Sequence, residues 1–340
     1  MEIYTPARFH RRNLLKAASF LLASRLSYSQ GSRVHKVLGT TRLFDPISSS
    51  GVDLVQETLL LPDSVLLSLH GDPKSNRWAV TGADFSGTLL WSYPLPNGTY
   101  SGMTTCESGN AFVVHAFSAK YEGKSRRNCI FRLDKASGRI DLLGSTDEAG
   151  AGYMMRFAGD SYLLGAGSNS LKLWDVHNGL NLVADSVLAI ANGVPLCHID
   201  LIAPGLVSIT PRTAESISIL SIPGGTIRTI PLSSPKIVQS RRMLERLLAS
   251  AEPLPPAGAR ALLGTLLITG ANPKSKTLRA LVMPVPHGEP IPMISIDMSG
   301  TISDAGAYQV ALRSGPLKIH DTGTEIAIVN AHGFVNWYDA

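Results

Sequence analysis

The chain is poor in most residues that announce a chemistry. Cysteine is nearly absent, with Cys106, Cys129 and Cys197 the only three in 340 residues. No CxxC occurs, so the sequence supports neither a zinc ribbon nor a thioredoxin-type redox site, and three scattered cysteines make no disulfide scaffold. They read as three buried thiols acting as small hydrophobes, or as one bridge and one free thiol. Charged residues are only 17% and aromatics 6%. No uninterrupted apolar run reaches the ~18 residues of a conventional membrane-spanning helix, so no stable transmembrane anchor is expected. There is no GxSxG, HExxH, Walker-type loop or GxGxxG. The apolar content of 44% excludes a disordered chain, and the length suffices for one large all-β domain or two ordinary ones.

Turn-forming glycine (31) and proline (21) are well represented, and a modest basic excess gives a formal charge of +5. That charge is unevenly placed. Residues 1–29 hold Arg8, Arg11, Arg12, Lys16 and Arg25 against Glu2, leaving 26 basic and 25 acidic residues in the remainder. A nucleic-acid partner thereby loses its main electrostatic support. The small cluster Lys124, Arg126 and Arg127 lacks aromatic interleaving and reads as an exposed loop.

Within those first residues, Arg11, Arg12, Asn13, Leu14, Leu15 and Lys16 precede a short apolar stretch from Ala17 to Ala23, with Arg25 after it. This resembles a twin-arginine export signal, in which Ser/Thr-Arg-Arg-x-Phe-Leu-Lys is the family pattern. Arg11, Arg12, Leu15 and Lys16 match it, whereas His10 replaces Ser/Thr and Leu14 replaces Phe. Ser27 and Ser29 set small residues before a cut after Ser29. The resemblance implies a bacterial or archaeal source and transient contact with the twin-arginine translocation machinery. It further implies a periplasmic or secreted protein that crosses the membrane folded.

Beyond residue 50, short β-rich runs alternate with turn dipeptides. Five of them align as a strand running into a glycine: Trp91–Gly98, Phe131–Gly138, Lys172–Gly179, Ser218–Gly225 and Leu281–Gly288. The glycines lie 40, 41, 46 and 63 residues apart. A period near 40–46 residues built of paired strands is that of a propeller blade, because one four-stranded sheet cannot bury both its faces alone. The runs RWAVTGAD, NAFVVHAF, DSYLLGAG and GLVSITP supply inner partners. The blades resemble WD40-like or quinoprotein-like repeats. Trp174-Asp175 is similar to the WD dipeptide, and Gly87–Gly98 is similar to the Trp-bearing strand of quinoprotein repeats; each likeness covers one blade.

The expected fold is all-β, a propeller of six or seven four-stranded blades over 52–340. A signal peptide over 1–29 and a linker over 30–51 precede it. The C-terminal FVNWYDA reads as a blade strand lacking its turn, with Val52–Leu60 expected to supply the outer strand that closes the ring. Ala307–Gly323 is either a compact blade or part of the last one. A helical insertion over 236–260 accounts for the longest gap; Met243, Leu244, Leu247 and Leu248 form its apolar stripe.

Candidate chemistry is sparse. His70, His115, His198 and His320 lie 45, 83 and 122 residues apart, near one, two and three blade periods. Side chains from equivalent strands would converge on the central channel as metal or substrate ligands; the alternative is four unrelated histidines. His70/Asp72 and His198/Asp200 are His-x-Asp pairs, which share one face of a strand and can poise a general base; solvated turns are the alternative. No motif names a cofactor or a catalytic residue. The pattern favours an exported binding or scaffold propeller for a periplasmic protein or cell-envelope ligand. The alternative is a propeller enzyme, a hydrolase, lyase or lactonase-like protein, with its site at the channel mouth; a quinoprotein-like dehydrogenase is a third reading.

Overall fold

The computed structural model describes residues 33–340 apart from 49–50, 52, 62, 107, 147–153, 159, 167–169, 178, 188–196, 212–215, 223, 251–266, 273, 284, 286–287 and 311–316. The leader and its arginine pair therefore lie outside the described residues. Two short strands come first, β1 (Val34–His35) and β2 (Gly39–Arg42). Blade 1 is β3 (Leu54–Leu60), β4 (Leu66–Asp72), β5 (Arg77–Ala83) and β6 (Leu89–Pro94). Blade 2 is β7 (Gly98–Thr105), β8 (Ala111–Tyr121), β9 (Lys124–Asp134) and β10 (Ile140–Ser145). Blade 3 is β11 (Met154–Ala158), β12 (Tyr162–Ala166), β13 (Ser170–Asp175) and β14 (Asn181–Val187). Blade 4 is β15 (Cys197–Ala203), β16 (Leu206–Pro211), β17 (Ser216–Ser221) and β18 (Gly225–Pro231). The helix α1 (Pro235–Ser250) follows. Blade 5 is β19 (Leu267–Asn272), β20 (Thr277–Val282), β21 (Ile291–Ile296) and β22 (Ile302–Tyr308). Blade 6 is β23 (Lys318–Asp321), β24 (Glu325–Val329), β25 (Phe334–Asp339) and, as its fourth strand, β2.

The fold is thus a six-bladed propeller of four-stranded antiparallel blades. Strand alternation makes it. Along β8, Phe112 and Val114 face blade 1, while Val113 between them faces blade 3. Each blade in this way buries both faces, and six apolar clusters fill the six seams. Trp78 and Tyr100 meet between blades 1 and 2, and Trp174, Phe157 and Ile130 between blades 2 and 3. The Trp174 of the WD-like dipeptide is therefore a core residue.

The ring closes with strands from both ends of the chain, but not with the strand the sequence suggested. Gly39–Arg42 pairs antiparallel with β25, Gly39 opposite Trp337 and Arg42 opposite Phe334. Val52–Leu60 instead contains β3, the innermost strand of blade 1. The reason is burial: Glu57, Thr58 and Leu59 are all buried, whereas no residue of Gly39–Arg42 is, as suits an edge. The stretch read as a linker over 30–51 accordingly belongs in part to the propeller. Its β1 also adds a parallel fifth strand to blade 5, where His35 stacks on Tyr308 with centroids 4.5 Å apart.

The repeat itself is real but its alignment needs correction. Phe131–Gly138, Lys172–Gly179 and Ser218–Gly225 do run from the third strand of a blade into its outer hairpin. Trp91–Gly98 is instead the fourth strand of blade 1 crossing into blade 2, and Leu281–Gly288 joins the second and third strands of blade 5. The equivalent turn glycines are Gly87, Gly138, Gly179, Gly225 and Gly300, all at positive φ between 68° and 101°. In two of these turns the sequence is DxSGT. Asp84 and Asp297 each accept from the backbone N–H of the following Ser and Thr and from the Ser hydroxyl. Ala307–Gly323 is not a blade: Ala307 and Tyr308 end blade 5, and Lys318 opens blade 6.

The helix α1 begins at Pro235, where the missing N–H costs nothing, and Ser234 Oγ accepts from Ile237 N at 3.2 Å. Ile237 and Leu244 bury against the seam of blades 4 and 5, while Arg242, Glu245 and Arg246 stay exposed. Met243 is half-buried; the side chains of Leu247 and Leu248 and residues 251–260 of the expected insertion lie outside the described residues.

Candidate functional site: a charged belt in the central channel

The innermost strands β3, β7, β11, β15, β19 and β23 adjoin one another in that cyclic order and surround the axis. A buried to half-buried polar belt runs around them. It comprises Glu57 and Thr58 from β3, Thr104 from β7, Arg156 from β11, Asp200 from β15, Thr269 from β19, and Lys318 and His320 from β23. Glu57 is its centre. Its Oε1 lies 2.9 Å from Lys318 Nζ, and its Oε2 lies 3.6 Å from Arg156. In the ring β7 separates β3 from β11, so the Glu57–Arg156 pair spans the channel. Thr58 N donates to Glu57 Oε1 at 3.1 Å. Arg156 donates to its neighbour's carbonyl, Met155 O, at 2.7 Å, and Thr104 Oγ1 accepts from Phe157 N at 3.3 Å. Thr269 Oγ1 donates to Asp200 Oδ2 at 2.5 Å. His320 Nε2 and Thr58 Oγ1 lie 2.7 Å apart at the seam of β23 and β3.

The two carboxyl groups of the belt are pushed in opposite directions. Burial raises the Glu57 pKa, but Lys318 and Arg156 more than offset it, and the group sits below the usual range. Burial also raises Asp200, where Arg156, the Thr269 hydrogen bond and Lys318 pull back only in part and Glu57 adds repulsion, so Asp200 sits above its ordinary value. Burial drives His320 down to about 3, which keeps the ring neutral.

Of the four candidate histidines, His198 and His320 stand on inner strands. His70 and His115 stand on second strands, β4 and β8, and are core residues. His70 Nδ1 is 2.9 Å from Asp53 Oδ2 and its ring stacks on Phe44 at 3.6 Å; His115 Nδ1 is 2.6 Å from Ser101 Oγ. The blade-like spacing of the four thus compares unlike strands. Among the described residues no three of His, Cys, Asp and Glu are grouped to hold a metal ion. Of the His-x-Asp pairs, Asp72 lies at a turn, accepting from Lys74 N and Ser75 Oγ, while Asp200 joins the belt. Lys124, Arg126 and Arg127 sit at the tip end of the long β8–β9 hairpin, where Lys124 and Arg127 are exposed. Cys106 and Cys129 are buried free thiols, and the Cys197 side chain is outside the described residues. No helix among the described residues is long and apolar enough to cross a membrane.

Glu57, Arg156 and Lys318 carried no motif. For Glu57 and Arg156 the signal is a lone ionisable residue inside a largely apolar inner strand, VQETLL and MMRFA; Lys318 lies in LKIHD, where His320 and Asp321 mask it. These features define a six-bladed propeller with a charged belt in its channel. No protein-family model matches the chain, and no curated protein matches it either.

Proposed function

We propose that the chain is an exported propeller that binds a small ligand at the channel belt. The observation that carries this is the convergence of Glu57, Arg156, Asp200 and Lys318, from four different blades, in one channel. Burying Glu57 and Asp200, with Arg156 and Lys318 half-buried beside them, costs stability unless each is fully paired, and apolar residues would pack the axis at lower cost. Such a cluster marks a place where function sets the residue choice. Purified, processed protein should show a discrete mass excess under native mass spectrometry that is absent in Lys318→Gln. Identical bare masses for both proteins would contradict the reading.

A second reading, acid–base catalysis in the same channel, is favoured by the opposite shifts of Glu57 and Asp200, the pattern that separates a base from an acid. It predicts that a bound molecule is chemically altered by the wild type and recovered intact from Asp200→Asn.

Export through the twin-arginine route is part of the proposal. It is supported by Arg11-Arg12 and by the position of the first strand: a cut after Ser29 removes no residue of β1, which starts at Val34. Arg11→Lys with Arg12→Lys should leave the precursor in the cytoplasm, and normal export of that variant would sink this part.

A further inference from the structure

We infer that the molecule received by the channel belt carries an oxyanion, a carboxylate or phosphate group, gripped by Arg156 and Lys318. The inference rests on the channel-binding reading and adds the ligand's chemical class. It follows from counting donors and acceptors. A guanidinium offers five N–H donors and an ammonium three. Among the described residues, Arg156 gives one hydrogen bond to Met155 O at 2.7 Å and Lys318 one ion pair to Glu57 Oε1 at 2.9 Å. The Arg156–Glu57 approach of 3.6 Å is an ion pair beyond hydrogen-bond length. Most of the donors on both side chains are therefore open. Both groups keep some exposure, 13% for Arg156 and 24% for Lys318, so part of each side chain is reachable from solvent.

The carboxylates of the belt, by contrast, are few and partly used. Glu57 receives Lys318, Thr58 N and the facing Arg156; Asp200 Oδ2 receives Thr269. Two cations thus share one carboxylate, hydrogen-bonded through Oε1 alone, and burial raises the pKa of the second carboxyl, Asp200. Two neighbouring cations with open donors and one shared carboxylate between them suit a ligand that brings negative charge and acceptors of its own. A cationic ligand would meet Arg156 and Lys318 unshielded, and a neutral polyol would leave their charge uncompensated.

The test uses the processed protein and its Arg156→Gln, Lys318→Gln and Arg127→Gln variants, the last altering an exposed hairpin residue. Acetate, succinate, inorganic phosphate, glucose and ethanolamine are each titrated calorimetrically. The inference expects binding of at least one oxyanion, acetate or succinate identifying a carboxylate site and phosphate a phosphate site. It expects that binding to weaken by about tenfold or more in each belt variant and to be unchanged in Arg127→Gln. Should Arg156→Gln fail to fold, Lys318→Gln decides, since Lys318 is the more exposed partner at the start of β23. Glucose or ethanolamine binding that disappears in Lys318→Gln keeps the channel as the binding site and overturns the oxyanion. Oxyanion binding untouched by either belt variant overturns both. No heat with any probe overturns the oxyanion, and the native mass comparison then stands alone as the test of the channel.

Discussion

Replacing Glu57 by Gln removes the negative group that, among the described residues, pairs with both Arg156 and Lys318. The isosteric amide keeps the shape and one acceptor, so the change is chiefly electrostatic. Glu57 is 2% exposed, and breaking a buried ion pair by removing one partner costs about 3–5 kcal/mol. The two cations retain 13% and 24% exposure and recover part of their hydration, which places the expected loss near the lower end, about 2–3 kcal/mol. That is a change of roughly 30- to 150-fold in the unfolding equilibrium. Urea unfolding at pH 7, with matching slopes for mutant and wild type, reads it directly. The double variant Glu57→Gln/Lys318→Gln leaves one stranded cation rather than two, so its loss should fall short of the summed single losses by about 1 kcal/mol or more. A Glu57→Gln protein within about 0.5 kcal/mol of wild type, or strict additivity in the cycle, would refute the belt as a coupled charge cluster.

Deleting residues 30–42 removes β1 and β2 and uncovers the edge of β25, so the truncated chain should melt earlier and self-associate, as read by light scattering; an unchanged melting point in a monomer would contradict the closure. His115 and His320 have folded pKa values of about 4 and about 3, below the unfolded value, so the unfolded chain binds more protons and stability falls as pH drops below about 6.5. Each contributes a loss of about 2 kcal/mol between pH 7 and pH 5. Asp200, raised in the fold, works in the opposite sense, so the decisive comparison is wild type against His115→Gln, whose pH slope should be shallower over that window. Gly82→Val should destabilise by about 1–3 kcal/mol and alter tryptophan fluorescence, because a Cβ there meets the Trp91 ring at 2.5 Å.

The fold was legible because propeller strands announce themselves locally: a short continuous apolar run in AFVVHAF, alternation in SISIL, and glycine where a hairpin demands positive φ. The register of the repeat was less so. Trp91–Gly98 and Leu281–Gly288 also end apolar strands in glycine, but Gly98 is needed for close approach, since a Cβ there would collide with the Ser118 carbonyl oxygen. The shared DxSGT of residues 84–88 and 297–301 was the better guide to equivalent turns. Closure by Gly39–Arg42 was hidden because GTTR is polar and short, and edge strands carry little hydrophobic signal. The site was hidden for a different reason. Glu57, Arg156, Asp200 and Lys318 are scattered over more than 260 residues. Only the ring geometry brings four unrelated inner strands to one axis, and histidine spacing cannot report which strand of a blade a residue occupies.

The central claim is that the charged belt is a ligand site rather than internal packing, and a crystal structure grown with the calorimetrically preferred anion tests it most directly. The account predicts density for that anion in the lumen, within hydrogen-bond distance of both the Arg156 guanidinium and Lys318 Nζ, with the Glu57–Lys318 pair intact. Arg156 and Lys318 saturated by Glu57 and Asp200 across a sealed axis, with the anion bound elsewhere or absent, would contradict it.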